Sequence, residues 1–564
     1  MKSASGISAS SGAASGRFFL LTTDIPVPDL QPSRFSQEKE YEFLVAAVDV
    51  ITKDLAARAA RATGETQEIL LATTEIASDP AILEEAKGFI GKGHTAAYAI
   101  LQATKLFQEL LAQSGGYLAE RVSDVGNICD RILCELNGQA YPEIPDFDEP
   151  IILIAHDLSP ADTTDLSSDT VLAIITEQGG PTSHTAIIAR SLGIPAIVAC
   201  NGVIELANEN RSAVITVNAT DGIVNFSPSK VELDEITQQI NLVHQRKRTK
   251  VERGESGYQT TDQRTIAIYA NIGSAQDVPG AIAAGADGIG LLRTELLYLD
   301  RQTPPSLTEQ IALYTSIFQE FRGKRVVIRT LDAGADKPMN FINFDSEPNP
   351  ALGVRGFRTE RKHPELLATQ IQAIAQAEIN SGADVWVMAP MITLPQEAAD
   401  FVNLCRSFGI KNAGIMIEVP AAVFHAHQLT EICDFVSIGT NDLGQYLHAA
   451  DRESAALASF NDPWQPALLT AVRMVAEAGK ANNCPVGVCG EAASDPALGP
   501  VLIGLGVTSL SCNIATLTDV ARVLTHCSTA ELASAAKKAL SATTAQSARA
   551  EARSSLAALK ELAL

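Results

Sequence analysis

Apolar residues recur at three- and four-residue spacing through EYEFLVAAVDVITKDLAARAA, PAILEEAKGFI, HTAAYAILQATKLFQELLAQ and DVGNICDRILCEL, which is the period of helices that bury one face. Between Pro32 and Pro142 the only proline is Pro80, and in SDPAILEEA it follows Asp79, predicting an N-cap with proline at the first helical position. This block predicts a helical bundle. The proline cluster YPEIPDFDEP, Tyr141 to Pro150, closes it. The period then changes to short apolar runs alternating with helical stretches, IILIAHDL, VLAIITE, AIVAC and AVITVN, which predicts a small α/β domain. The early run GRFFLLTT has no strand partner inside the helical block, so it is expected to pair with the later sheet and leave the helices as an insertion. A charged helical stretch, Val231 to Glu255, reads as a linker.

Beyond the linker, eight apolar runs alternate with helical ones: TIAIYANI, GIGLLR, RVVIRTL, VWVMAPM, GIMIEV, FVSIGT, VGVCGE and TSLSC. That count predicts a (β/α)8 barrel. Several runs end in polar or ionisable residues (LLRTE, IRTLD, MIEV, IGTND, VCGE), and active sites are built at the C-terminal rim of such barrels. The Ala-rich tail from Ser528 to Leu564 reads as a terminal helix. The domains expected are an α/β domain over 1–28 and 143–228, an inserted helical domain over 29–142, a helical linker over 229–258 and a barrel over 259–564.

Composition narrows the class. A chain of 564 residues, 46% hydrophobic and only 5% aromatic, fits a large multidomain α/β enzyme. The net charge of −23 works against binding nucleic acid or an anionic membrane and suits a partner with a basic face. Nine scattered cysteines without a CxxC pair indicate a reducing, cytoplasmic compartment. The start of the chain, with an apolar run of only four residues from Phe18 to Leu21, is not the pattern of a secretory signal. The uncharged stretch Pro496 to Thr518 is broken by glycines and polar residues, so a helix leading into a buried strand is expected there and no membrane insertion.

Two groups of residues suggest chemistry. In EQGGPTSHTAIIARSLGIP a strand exit and a Gly-Gly turn lead into a helix with His184 in its first turn. The free N–H groups and positive dipole end there favour a phosphate and disfavour an imidazolium, keeping a ring nitrogen nucleophilic. Thr182, Ser183 and Thr185 would add hydroxyl donors. At the ends of the barrel strands stand Arg293, Arg329, Glu418, Asn441, Asp442, Arg452 and Cys489. Guanidinium forks match phosphate and carboxylate oxygens, and phosphoenolpyruvate carries both groups. Glu418 and Asp442, at the ends of neighbouring strands, could hold Mg2+, which takes few protein oxygens and completes its shell with substrate and water. Cys489 is either a proton donor to the carbon left after phosphate departure or a buried structural thiol.

These residues resemble enzyme I of the phosphoenolpyruvate-dependent sugar phosphotransferase system. The resemblance covers essentially the whole chain through SGISASSGAASG, GGPTSHTAIIARSLGIPAIV, ANIGSAQDVPGAIAAGADGIGLLRTELLYLDR, NPALGVR, GIMIEVPAA, FVSIGTNDLGQYLHAADR and VGVCGEAASDP. It implies a swivelling phosphohistidine domain, with His184 accepting phosphate from phosphoenolpyruvate, pyruvate released, and the phosphoryl group passed to the phosphocarrier HPr in the first step of sugar uptake. It also implies that Arg293, Arg329, Asn441, Asp442 and Arg452 bind phosphoenolpyruvate, that Glu418 and Asp442 ligate Mg2+, and that Cys489 protonates the enolpyruvate carbon. Thr163 matches the threonine that fixes the tautomer of the nucleophilic ring, the helical block resembles the HPr docking site, and the barrel resembles the family's dimerisation unit, so a homodimer is expected. Three departures stand out: Pro181 replaces a usual basic residue, AGADKPMNF is shorter than the family's loop, and Val354 replaces a usual Trp. The His segment and barrel are also similar to pyruvate phosphate dikinase and phosphoenolpyruvate synthase, which leaves a fragment working with a separate ATP-binding chain as an alternative. A silent phosphoenolpyruvate sensor is a third reading, against which the intact Arg, Glu, Asp and Cys set argues. The lack of a sensor domain before Ser5 favours sugar uptake over a regulatory branch.

Overall fold

A computed structural model describes the chain except residues 1, 11, 23–24, 26–27, 29, 31, 62–64, 115–121, 143, 146, 148, 164–165, 181–182, 250, 255–256, 300, 335–338, 340, 343–346, 348, 453–454 and 563. It divides into two compact units, Met1–Gln245 and Arg246–Leu564.

The first unit is built on an eight-stranded sheet: β1 Ser3–Ser5, β2 Ile7–Ser10, β3 Ala13–Leu21, β4 Ile151–Ala155, β5 Val171–Thr176, β6 Ala196–Val198, β7 Val214–Asn218 and β8 Ile223–Asn225. Their order across the sheet is β1-β8-β7-β3-β4-β5-β6-β2. The run GRFFLLTT behaves as its isolation predicts: β3 lies parallel to β4, Phe18 opposite Ile152 and Leu21 opposite Ala155, and antiparallel to β7. The helices between β3 and β4 are therefore an insertion. Strand β4, IILIA, is buried along its whole length, as a central parallel strand covered on both faces must be. Strands β1 and β2 were not legible in MKSASGISAS, because small and polar residues there give no apolar alternation.

The inserted helices are α1 Gln37–Arg61, α2 Glu65–Ala77, α3 Pro80–Gly91, α4 Ala96–Ser114 and α5 Val122–Leu136. Asp79 caps α3, accepting from Ala81 N at 2.8 Å with Pro80 in the first turn, as the sequence predicts. Leu44, Leu55, Leu70, Ile90, Ile100 and Ile132 form the centre of the bundle. A buried ion pair ties it to the sheet's loops: Arg131 Nη2 lies 2.5 Å from Asp162 Oδ1, and Arg58 Nη1 donates to Ala161 O at 3.3 Å. After β5 the sheet carries α6 His184–Leu192, and past β8 the charged stretch forms α7 Lys230–Arg248.

The second unit is a closed barrel. A short β9, Tyr258–Gln259, precedes eight parallel strands: β10 Thr265–Ile272, β11 Ile289–Leu292, β12 Arg325–Arg329, β13 Asp384–Ala389, β14 Asn412–Ile417, β15 Phe435–Gly439, β16 Val486–Cys489 and β17 Ser509–Cys512. Each of the eight runs singled out in the sequence overlaps one of them, and the pairing of β10 with both β11 and β17 closes the ring. Leu291, Val327, Trp386, Met388, Met416, Phe435 and Cys489 form a buried cluster contributed by strands around the ring. The stretch Pro496 to Thr518 forms a helix over Leu498–Gly504 followed by β17, as expected. The tail departs from expectation: it is three helices, Thr529–Ser541, Ala545–Ser555 and Ala557–Glu561. Capping boxes start two of them, Ser528 with Glu531 and Thr544 with Ser547, and alanine periodicity alone hides such breaks. Among the described residues no helix is long and apolar enough to cross a membrane, and all nine cysteines are free and buried.

Candidate active site

In the first unit, α6 begins where the Gly-Gly turn predicts. Gly179 has φ +91°, a conformation suited to glycine, and Gly193, at φ 64°, ends the helix in the left-handed region. His184 is the first residue of α6; its ring, like Pro181 and Thr182, lies outside the described residues. Of the neighbouring hydroxyls, Thr185 differs from the sequence expectation. Ser183 is the N-cap, its side chain accepting from Ala186 N at 3.4 Å, and the buried Thr185 donates to Leu158 O at 3.4 Å, so Thr185 is committed to the fold rather than turned to a ligand. Leu158 leads into the 3-10 turn Pro160–Thr163, which packs against α6. Thr163 is buried in this turn. The turn is itself held by Asp162, which accepts from Ser159 N and Oγ and pairs with Arg131.

In the barrel, the strand ends bring together Arg329, Glu418, Asp442 and Cys489. Arg329, the last residue of β12, donates from Nη2 to Glu295 Oε1 at 2.8 Å, with Nη1 3.3 Å from Asp332 Oδ2 and 3.8 Å from Met416 Sδ. Burial works against its charge, but the carboxylates of Glu295, Asp332 and Glu418 outweigh it and hold the guanidinium protonated. Glu418 is enclosed just past β14 and accepts from Met391 N at 2.7 Å. Burial, with repulsion from Asp332 and Asp442, pushes its carboxyl up to about 8. Cys489 ends β16 inside the barrel, its Sγ accepting from Ser437 Oγ and donating to Ile438 O, both at 3.5 Å. Burial pushes this thiol up to about 11, against the opposing Ser437 hydrogen bond, so it carries its proton at neutral pH.

The other predicted residues stand at the rim. Asn441 is exposed and accepts from Glu491 N at 3.3 Å; Arg452 is exposed, its Nη1 3.7 Å from Asp442 Oδ1; Arg293 is exposed and lines a cavity of about 240 Å³. The sequence reading missed the residue at the centre. Arg355 is 1% exposed and grips two carboxylates in bidentate fashion, Asp332 at 3.1 and 3.0 Å and Asp442 at 2.9 and 3.1 Å. It lies in a loop after β12, so a search of strand ends passes over it, although it ends the NPALGVR run. Glu295 and Asp332 end the runs LLRTE and IRTLD, but neither was singled out as a partner of an arginine.

Among the described residues no group of three or more His, Cys, Asp or Glu is arranged to hold a metal ion. Glu418 and Asp442 form a smaller set with the chemistry a hard cation uses, two carboxylates with the remaining ligands left to substrate and water. A Cβ at Gly439 would fall 2.8 Å from Glu418 Oε2, so the end of β15 must be glycine for that oxygen to stand there. Gly490 plays a similar part on β16: its φ of +96° is a glycine conformation, and a Cβ would lie 2.8 Å from Thr440 Oγ1 and 2.9 Å from Asn441 Oδ1. Gly490→Ala is expected to lose about 1–3 kcal/mol of stability from backbone strain alone, with a larger loss of activity as Asn441 is displaced. A thermal melt and a rate measured together check this; an unchanged melt with full activity would contradict it.

Comparison with known proteins places the chain in a family. Residues 247–529 match the family model described as PEP-utilising enzyme, PEP-binding domain; residues 147–222 match the mobile domain and residues 5–121 the N-terminal domain of the same class. The chain is 42% identical over 547 residues to a phosphoenolpyruvate-protein phosphotransferase of Streptomyces coelicolor, covering 96% of this chain and 97% of that one. It is 34% identical to one from Haloferax volcanii, covering 86% and 87%, and 32% identical to one from Latilactobacillus sakei, covering 96% of each. Barrel, mobile domain and matched segments define a PEP-utilising enzyme. Within that class the chain belongs to the phosphoenolpyruvate-protein phosphotransferases, the enzyme I family.

Proposed function

We propose that this phosphoenolpyruvate-dependent phosphotransferase phosphorylates itself on His184, releases pyruvate, and passes the phosphoryl group to a phosphocarrier of the HPr type, serving sugar uptake. The observation that carries this reading is the buried cluster at the barrel's strand ends, where Arg329 and Arg355 face four carboxylates beside a protonated thiol. Arg293, Arg329, Asn441, Asp442 and Arg452 bind the substrate's phosphate and carboxylate, and Arg355 joins them by fixing Asp442. Glu418 and Asp442 would hold Mg2+, which when bound supplies charge compensation on the moving phosphoryl group. Cys489 gives its proton to the methylene carbon of the enolate as pyruvate forms. Thr163 holds the His184 ring in the tautomer that leaves the attacking nitrogen unprotonated.

The domains follow the division 1–28 with 143–228, 29–142, 229–258 and 259–564. The phosphocarrier docks on the inserted helices, where Leu71, Leu106 and Leu110 are exposed apolar residues. Because in-line transfer requires atoms roughly 3–3.5 Å apart, one histidine serving a donor on the barrel and an acceptor on the helices requires the α/β domain to swivel. The barrel mediates a homodimer, and the buried free thiols suit a reducing cytoplasm. The test is a coupled assay of pyruvate released from phosphoenolpyruvate with Mg2+ and HPr. Turnover without nucleotide supports the proposal, and a requirement for ATP or AMP overturns it. In the same assay Glu418→Gln is expected to reduce kcat roughly 100-fold or more and to lose its response to Mg2+. Normal rates in chelator would remove the metal from the reading.

A further inference from the structure

Charge around Arg329 is not arranged as a waiting substrate site would be. Two guanidiniums, Arg329 and Arg355, are enclosed with Glu295, Asp332, Glu418 and Asp442. Phosphoenolpyruvate brings a phosphate and a carboxylate of its own, so it can take Arg329 only as an internal carboxylate gives it up or is neutralised. Asp332 and Glu418 are 0% and 1% exposed, and Asp442 is gripped by both terminal nitrogens of Arg355. Glu295 is held differently.

It opens a single 3-10 turn, Glu295–Leu297, in which Leu296 is exposed, and its carboxylate accepts from Arg329 Nη2 and, at 3.2 Å, from Asp332 N. The turn is pinned at both ends. Thr294 Oγ1 donates to Arg329 O at 3.1 Å, and Tyr298 OH donates to Gln310 Oε1 at 3.0 Å. Between these anchors the turn borders the 240 Å³ cavity, whose far wall is Leu313, Tyr314 and Ile317. Arg329 Nε is buried and has no acceptor among the described residues, a donor left over for a ligand.

We infer that Glu295 is a displaceable counterion: it holds Arg329 in the ligand-free enzyme and yields that guanidinium to an oxygen of phosphoenolpyruvate, the turn shifting into the adjoining cavity. Glu295 is thus a positioning residue, and the inference rests on the phosphoenolpyruvate site proposed above. A site whose binding-competent state is only partly populated shows weakened apparent affinity, and removing the competitor restores it. With kcat and KM measured for pyruvate release on the full chain, Glu295→Gln is expected to lower KM for phosphoenolpyruvate roughly fivefold with kcat within about twofold. Leu313→Trp, which fills the cavity from its far wall, is expected to raise KM severalfold without changing the melting temperature. A rise in KM or no change for Glu295→Gln would show that Glu295 only orients Arg329, and an unchanged KM for Leu313→Trp would show that the turn does not move; either overturns the inference. Absence of any pyruvate release by the unaltered enzyme would instead overturn the proposed function, so the two failures are distinguishable.

Discussion

His184→Ala is expected to abolish phosphorylation by phosphoenolpyruvate and transfer back from a phosphorylated HPr, because both half-reactions need the same ring nitrogen. The adjacent hydroxyl of Thr185 already donates to Leu158 O. The fold should survive, since alanine is the better helix former at the first position of α6 and the cap is supplied by Ser183. Substrate binding at the barrel should survive as well, because Arg329, Arg355 and Asp442 are all in the other unit. Labelling with radioactive phosphoenolpyruvate, together with a binding titration, checks both halves. Label retained on the variant would rule out His184 as the acceptor.

Arg355→Met should cause the largest combined loss of stability and activity. The substitution leaves Asp332, 0% exposed, and Asp442 without the guanidinium that pairs them, and breaking one side of a buried ion pair costs about 3–5 kcal/mol. A fall in melting temperature of roughly 4–8 °C follows for a unit of this size. Turnover should drop roughly 100-fold or more even at low temperature where the protein stays folded, because Asp442 loses its orientation. Arg355→Lys should recover little, since an ammonium cannot grip two carboxylates with parallel hydrogen bonds. Adding Asp332→Asn to Arg355→Met should recover part of the stability by removing one buried charge, with no recovery of turnover. Full activity in Arg355→Met would show that the network is incidental.

How much was legible in the sequence followed from how local each signal is. The barrel strands could be read because each is a short apolar run bounded by turns, and a buried parallel strand needs nothing else. The insertion was legible by elimination, since GRFFLLTT had nothing to pair with in a helical block. Strands β1 and β2 were hidden because serine and alanine at a sheet edge carry no periodic signal. The start of α6 could be read from Gly-Gly and Gly193, and the strand-end rule found Arg329, Glu418, Asp442 and Cys489. It could not find Arg355, which reaches the site from a loop, and it did not single out Glu295 and Asp332, whose importance lies in what they touch. Long-range pairing of this kind leaves no mark on spacing along the chain.

The most direct measurement is a map of the phosphorylated residue after incubation with phosphoenolpyruvate and Mg2+ and no nucleotide. The chain has no lysine or arginine between Arg131 and Arg190, so trypsin places His184 and His156 in one peptide, and fragmentation must separate them. His156 is exposed on the end of β4 with its Nδ1 3.0 Å from Glu177 Oε2, which makes it an internal control. The expected result is a single acid-labile, base-stable phosphoryl group on His184. Phosphate on His156 or on any other residue, or none until ATP is added, would contradict the assignment of His184 as the acceptor from phosphoenolpyruvate.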